Sequence, residues 1–186
     1  SSAASDVYKR QVMRGEETQI VGLLSQCPGA AQVCLPGTHS KWVSLQAGAI
    51  AGVHTAMTGE SYALYRQHSM LARSMPPTSG PEVFDADAFA AGVRRSGEPG
   101  GLLHHLFGVR TLGLFDRLVP AQAPAYLSGL LIGHEVRAQL PLQAPVHLIG
   151  GPTLGARYRQ AFDLLGIDSH LHGENLAACG LFHLTR

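Results

Sequence analysis

Between two apolar runs, Gly37-Thr38-His39-Ser40-Lys41 puts a glycine, two hydroxyls, an imidazole and an ammonium within five residues. A glycine lets backbone come close to a ligand, and a tight turn can aim several N–H groups at an anion. Thr38 and Ser40 would add hydroxyl donors and Lys41 a positive charge, so the segment can serve as a phosphate cradle. The GxxxxGK[ST] spacing of a Walker A loop is absent. An ordinary polar hairpin turn has the same composition, and both readings stand on the residues alone.

Two further segments carry comparable chemistry. Arg14-Gly15-Glu16-Glu17-Thr18 opens a helical pattern. A carboxylate in a first helical turn is favoured by the helix dipole, worth about 0.3–1 kcal/mol at a surface, which accounts for it structurally. Its functional counterpart is a general base that takes a proton from a substrate hydroxyl. Leu148-Ile149-Gly150-Gly151-Pro152-Thr153 is an apolar run ending in glycines that open a helix. Ligands of α/β sheets bind at such strand ends, although many structural turns look the same. Thr58 and Glu60 fit a helix cap better than a catalytic pair. His104-His105 and His170-x-His172 lack an acidic partner at ligand spacing, so no metal site is expected.

The elements needed to hold these segments can be read from periodicity. A helix is expected over Met13–Gln26, with Ile20, Val21, Leu23 and Leu24 as its apolar stripe. Strands are expected over Ala31–Leu35, Lys41–Leu45 and Ile50–Ala56, the last two joined by a turn at Ala47–Ala49. A helix capped by Thr58 should run to Arg73, followed by a proline-rich loop over Met75–Pro81. Short helices follow over Asp85–Arg95, Gly101–Phe107 and Thr111–Leu118, then a long apolar one over Pro124–Leu140, suited to either a core or an interface. The last third alternates: strand Val146–Ile149, helix Thr153–Leu165, strand Ile167–Leu171, helix Asn175–Leu184. A meander followed by alternation predicts an α/β fold with one mixed sheet flanked by helices. Residues from about 74 to 120 read as a helical insertion, and residues 1–11 as a non-native leader or assembly scar.

Composition excludes several classes. Fourteen basic and thirteen acidic residues give a net charge of +1, without the basic patch that nucleic acid or an anionic membrane surface would demand. No run approaches the roughly 18 apolar residues of a membrane span. Three cysteines, Cys27, Cys34 and Cys179, form no CxxC pair, which fits a reducing cytoplasm. Apolar residues at 45% of the chain supply ample core.

In order along the chain, MRGEETQIVG, LPGTHSKWV, TAMTGE, HSML, YLSGLLIGHEV and LGARYRQAF resemble the 2-dehydro-3-deoxygalactonokinases. The resemblance runs from Val12 to the C-terminus. It implies the actin-like ATPase superfamily, with ribonuclease-H-like lobes, this chain being the C-terminal one, and ATP with Mg2+ in the cleft between lobes. The implied reaction is transfer of a phosphoryl group to the 6-hydroxyl of a small sugar acid, 2-dehydro-3-deoxy-D-galactonate. Glu16 then stands where sugar kinases carry their base, with Glu17 in reserve. Gly37, Thr38, His39, Ser40 and Lys41 resemble the second phosphate motif, and Gly150, Gly151 and Thr153 the adenosine motif. Gly173–Gly180 resembles the second hinge element. Arg14, Thr58 and Glu60 are the expected sugar-acid contacts. The Asp-Trp-Gly-Thr-Thr-like hairpin with which family members begin has no match, so the expectation is an N-terminal lobe outside these residues and no turnover from them alone. A non-catalytic sugar or nucleotide sensor, a kinase for the gluconate epimer, an inert product and a homo-oligomer remain open at this stage.

Overall fold

The computed structural model describes residues 12–78, 83–142, 144–173 and 175–185. The proposed leader over residues 1–11 lies outside them, as does the end of the proline-rich loop. The chain divides into two compact units. One comprises residues up to Met57, Leu142–Arg159 and Ile167 onward; the other comprises Thr58–Pro141 and Gln160–Gly166.

The first unit is built on a five-stranded mixed sheet. Its strands are β1 (Gln32–Leu35), β2 (Ser40–Gln46), β3 (Ala49–Ala56), β4 (Val146–Ile149) and β5 (Ser169–His172), in spatial order β3-β2-β1-β4-β5. The meander β1-β2-β3 is antiparallel, whereas β4 joins β1, and β5 joins β4, in parallel. Ala47 and Gly48 both have positive φ, 49° and 76°, as a two-residue hairpin whose twist matches its strands requires.

Alternation sorts side chains between the two faces of this sheet. Val33, Leu35, Val43, Leu45, Val53 and Ile149 form one buried cluster with Ile20 and Leu23 of helix α1 (Glu16–Gln26) and Leu176 of helix α7 (Leu176–Leu184). On the alternate positions, the Ser40 hydroxyl lies 2.8 Å from that of Tyr158, fully buried, in helix α6 (Pro152–Leu164). Helices α1 and α7 pack backbone to backbone. A Cβ built on Gly22 would come within 2.0 Å of the Leu176 carbonyl oxygen, and one on Gly180 within 1.8 Å of that of Thr18.

The second unit is helical: α2 (Thr58–His68), a 3-10 turn over Met70–Ser74, α3 (Ala86–Arg95), α4 (Gly101–Leu114) and α5 (Ala123–Arg137). Residues of α6 from Gln160 belong to it as well. Nearly all of α5 from Ala123 to Val136 is buried, so the long apolar helix is core within the chain. Its close partner is α3, because a Cβ on Gly92 would meet the Tyr126 carbonyl oxygen at 2.2 Å and one on Gly129 that of Phe89 at 2.0 Å.

Several boundaries differ from the periodic reading, three of them for a local physical reason. Helix α1 starts at Glu16 and not at Met13, since Gly15 sits at φ 101°, outside any right-handed helix. The helix after Thr58 stops at His68, where the Ser69 hydroxyl donates to the Tyr65 carbonyl at 2.7 Å and accepts from Leu71 N at 3.0 Å. Such side-chain bonds compete with the helical ladder. The two short helices expected around Gly108 are one, α4, because buried Leu106 and Val109 carry the packing through the glycine.

Candidate active site

Glycine at position 15 sets up the start of α1. Its left-handed backbone reverses the chain, and the helix begins with two carboxylates facing back along it. Glu17 accepts from the Gly15 amide at 3.0 Å and is exposed. Glu16 accepts a short hydrogen bond from the Arg14 amide. Both carboxylates therefore satisfy amides left free at a helix start, but only Glu16 turns further inward. Its Oε1 lies 3.7 Å from the Lys41 ammonium, and its side chain keeps 28% of its exposure against 7% for Lys41.

That ammonium comes from β2. Lys41 stands opposite Leu35 on β1 and Thr55 on β3, and its Nζ also donates to the His39 carbonyl at 2.9 Å. Burial pushes the Glu16 pKa up, but hydrogen bonds from the Arg14 amide and its own amide, together with the Lys41 charge, outweigh this. The net effect holds the carboxyl below its ordinary value.

The parallel pairing of β1 with β4 completes the site. Cys34 lies opposite Leu148, so the loop after β1 and the glycines after β4 leave the same end of the sheet. A Cβ on Gly150 would meet Pro36 Cδ at 3.5 Å. At this end a cavity of about 510 Å³ opens, lined by Arg14, Glu16, Gln19, Gly37, Thr38, His39, Lys41, Gly150 and Gly151, with Val12, Leu35, Pro36 and Ile149 as apolar wall. Ligand pockets occupy roughly 300–1,000 Å³.

Of the residues singled out from the sequence, Arg14, Glu16, Gly37, Thr38, His39, Lys41, Gly150 and Gly151 converge on this cavity. Ser40 and Thr153 do not line it: Ser40 is buried beside Tyr158, and Thr153 is exposed in the first turn of α6. Glu17 points to the Gly15 amide instead. Thr58 starts α2 and Glu60 lies in its first turn, both in the second unit. Gln19 was not singled out, although its place one turn after Glu16, at i+3, puts it on the same helix face.

The lining suits an anionic, phosphate-bearing ligand. Arg14 and Lys41 provide positive charge, Thr38 is exposed, and a Cβ on Gly37 would meet nothing within 4 Å, so a ligand can approach that backbone unobstructed. For a divalent metal the described residues of the lining offer one carboxylate, Glu16. Among the described residues no three His, Cys, Asp or Glu side chains are grouped to hold a metal ion. Likewise, no described helix is long and apolar enough to cross a membrane.

Known proteins similar to this chain carry the name that its motifs suggest. The 2-dehydro-3-deoxygalactonokinase of Escherichia coli is 41% identical over 160 residues, covering 84% of this chain and 53% of its own length. A candidate 2-dehydro-3-deoxygalactonokinase from Rhizobium meliloti is 38% identical over 178 residues, covering 89% of this chain and 56% of its own. The chain thus spans about half the length of the curated relatives it matches. A crystal structure from Sinorhizobium meliloti, described as a candidate 2-dehydro-3-deoxygalactonokinase, superposes with a TM-score of 0.85 at 36% identity, over 95% of this chain and 60% of that one. The family model described as 2-keto-3-deoxy-galactonokinase matches residues 2–184; with a match over nearly the whole chain and relatives at 38–41% identity, the chain belongs to that family.

Proposed function

We propose that this chain carries the phosphate-side half of a kinase that uses ATP to phosphorylate 2-dehydro-3-deoxy-D-galactonate at its 6-hydroxyl, in galactonate breakdown. The observation that supports this most is one cavity holding a carboxylate, Glu16, beside an unobstructed glycine loop, Gly37-Thr38, in a chain of this family. The fold is assigned to a ribonuclease-H-like lobe of the actin-like ATPase type, within a cytoplasmic enzyme. ATP with Mg2+, when bound, supplies the transferable phosphoryl group and neutralises charge on its oxygens.

The chain's own residues do the rest. Gly37 backbone and the Thr38 hydroxyl receive the tail phosphates, and Gly150-Gly151 leaves a face free of side chains for the purine. Arg14 contributes positive charge and is assigned to the sugar acid. Glu16 accepts the proton of the 6-hydroxyl as that oxygen bonds the terminal phosphorus and the bond to the ADP oxygen breaks. Phosphoryl transfer needs positioning and charge stabilisation more than covalent help, so a weakly basic but well-held carboxylate suffices.

The decisive experiment measures ATP-dependent phosphorylation by the protein at the full length of its relatives, with the galactonate acid and its gluconate epimer side by side. Strong preference for the galactonate acid is expected; preference for the gluconate acid would reassign the substrate, and activity on neither would leave a sugar or nucleotide sensor. In the same assay, Glu16→Gln is expected to lower kcat by about 10²-fold or more, the usual scale of acid–base help, with little change in the ATP KM. An unchanged kcat removes the base role from Glu16. These 186 residues by themselves are expected to hold nucleotide weakly without turnover, and a robust rate from them would refute that.

A further inference from the structure

The ammonium of Lys41 touches two parts of the proposed machinery at once. Its Nζ is 2.9 Å from the His39 carbonyl oxygen, in the glycine loop, and 3.7 Å from Glu16 Oε1, at the start of α1. We propose that Lys41 is a positioning residue, which fixes the Glu16 carboxylate against the Gly37–His39 loop instead of itself holding a phosphate. This rests on the kinase reading above and assigns Lys41 a different task from the one its sequence context suggests.

A lysine that binds phosphate as a point charge sits on a flexible stem that follows its ligand. Lys41 is instead 5% exposed and grows from the middle strand of the β1-β2-β3 meander, with neighbours paired on both sides. An ammonium this buried is stable only with a partner charge and hydrogen bonds. Among the described residues Glu16 is the only carboxylate lining the cavity. Moving Lys41 to a phosphate would strand the carboxylate it faces and release the His39 carbonyl. The other charged or titratable groups here are Arg14, on the approach to α1, His39, in the loop, and Glu17, whose carboxylate is bonded to the Gly15 amide.

The geometry gives Lys41 two consequences. It sets the distance between the group that orients the acceptor hydroxyl and the loop that receives phosphate. It also favours the ionised carboxylate, so that Glu16 stays ready to accept a proton at mildly acid pH.

The test uses Lys41→Met and Lys41→Arg in the protein at the full length of its relatives, with kcat against pH and the ATP Kd as readouts. For Lys41→Met the expected result is a fall in kcat of about tenfold or more, an acid limb of the kcat profile moved to higher pH, and an ATP Kd within about threefold of wild type, the pattern of a lost transition-state contact. Lys41→Arg, which keeps the charge, should restore the acid limb. An ATP Kd weakened as much as kcat, with the acid limb unmoved, would make Lys41 a phosphate ligand and overturn the proposal. Should the Met variant fail to fold, Lys41→Gln, which can still donate to the His39 carbonyl, carries the same readouts.

A second measurement is independent of turnover. The Glu16 carboxyl is titrated by carbon-13 NMR in this chain, wild type against Lys41→Met, and an upward move of its pKa is expected. No movement defeats the positioning role even if the kinase is active. An inactive wild-type protein with a moved pKa defeats the kinase reading and leaves the Lys41–Glu16 coupling standing.

Discussion

At Gly37 folding and the proposed phosphate contact can be probed separately. Its φ lies outside the left-handed region, and a methyl there would touch nothing within 4 Å. Gly37→Ala should therefore leave thermal stability within about 0.5 kcal/mol, the range of uneventful surface changes. If phosphate approaches the backbone there, the same methyl should weaken ATP affinity clearly. An unchanged ATP Kd would mean that phosphate binds elsewhere in the cavity. Much of the site was legible at this scale because its parts are local: Glu16 and the Gly37-Thr38 loop each lie in a short segment whose chemistry shows in residue types. Orientation was not legible. Ser40 and Lys41 are adjacent, yet the pleat sends the serine hydroxyl to Tyr158 and the lysine to Glu16. Which of the two faces the cavity depends on the register of β2 with β1. The same holds for Glu16 and Glu17, which only the backbone turn at Gly15 tells apart.

At the scale of elements, both units rely on glycines to bring helices together. Gly22 and Gly180 let α1 lie against α7, and Gly92 and Gly129 let α3 lie against α5. In each case the obstacle to a larger residue is backbone, which has no rotamer to change. Gly22→Ala should thus destabilise by about 1–3 kcal/mol or more, as expected for overpacking, although alanine is otherwise the better helix former. Because α1 also carries Glu16, the substitution should depress activity below what unfolding explains. A thermal melt of Gly22→Ala at or above wild type would show that the two helices can separate at no cost. Periodicity placed every strand and most helices to within a few residues, since a two-residue or 3.6-residue apolar repeat survives without knowledge of neighbours. It misplaced the break after His68 and invented one at Gly108, since a hydroxyl bonding its own backbone and a glycine held by neighbouring packing leave no trace in that repeat.

Across the whole molecule, histidines set the response to acid. His147 and His172 lie with Nδ1 and Nε2 2.9 Å apart, and the tilted ring of His170 has its centroid 5.4 Å from that of His147. Burial, and then the neighbouring imidazoles, hold the pKa of His147 and of His172 below the ordinary 6.5. In the helical unit His134 is lowered by burial, then by His105 and Arg137. Lowered folded values mean that the unfolded chain binds more protons as pH falls below 6.5. The folded state thus keeps its full stability above that pH and loses it progressively as pH drops through the folded values. The melting temperature is expected to fall between pH 8 and pH 5, and His147→Gln to flatten that fall. A melting temperature that rises over the same interval would contradict the sign.

The adjacency of β1 and β4 has a kinetic side. Cys34 and Leu148 are neighbours in the sheet, while the chain between them carries the meander and most of the helical unit. The two cavity walls cannot meet until that long excursion has closed, so the cavity end of the sheet should be among the later parts to form. Loop-closure entropy grows only with the logarithm of length, about 0.6 kcal/mol for each doubling. The same excursion can therefore lengthen or shorten over evolution at little cost to the pairing of β1 with β4.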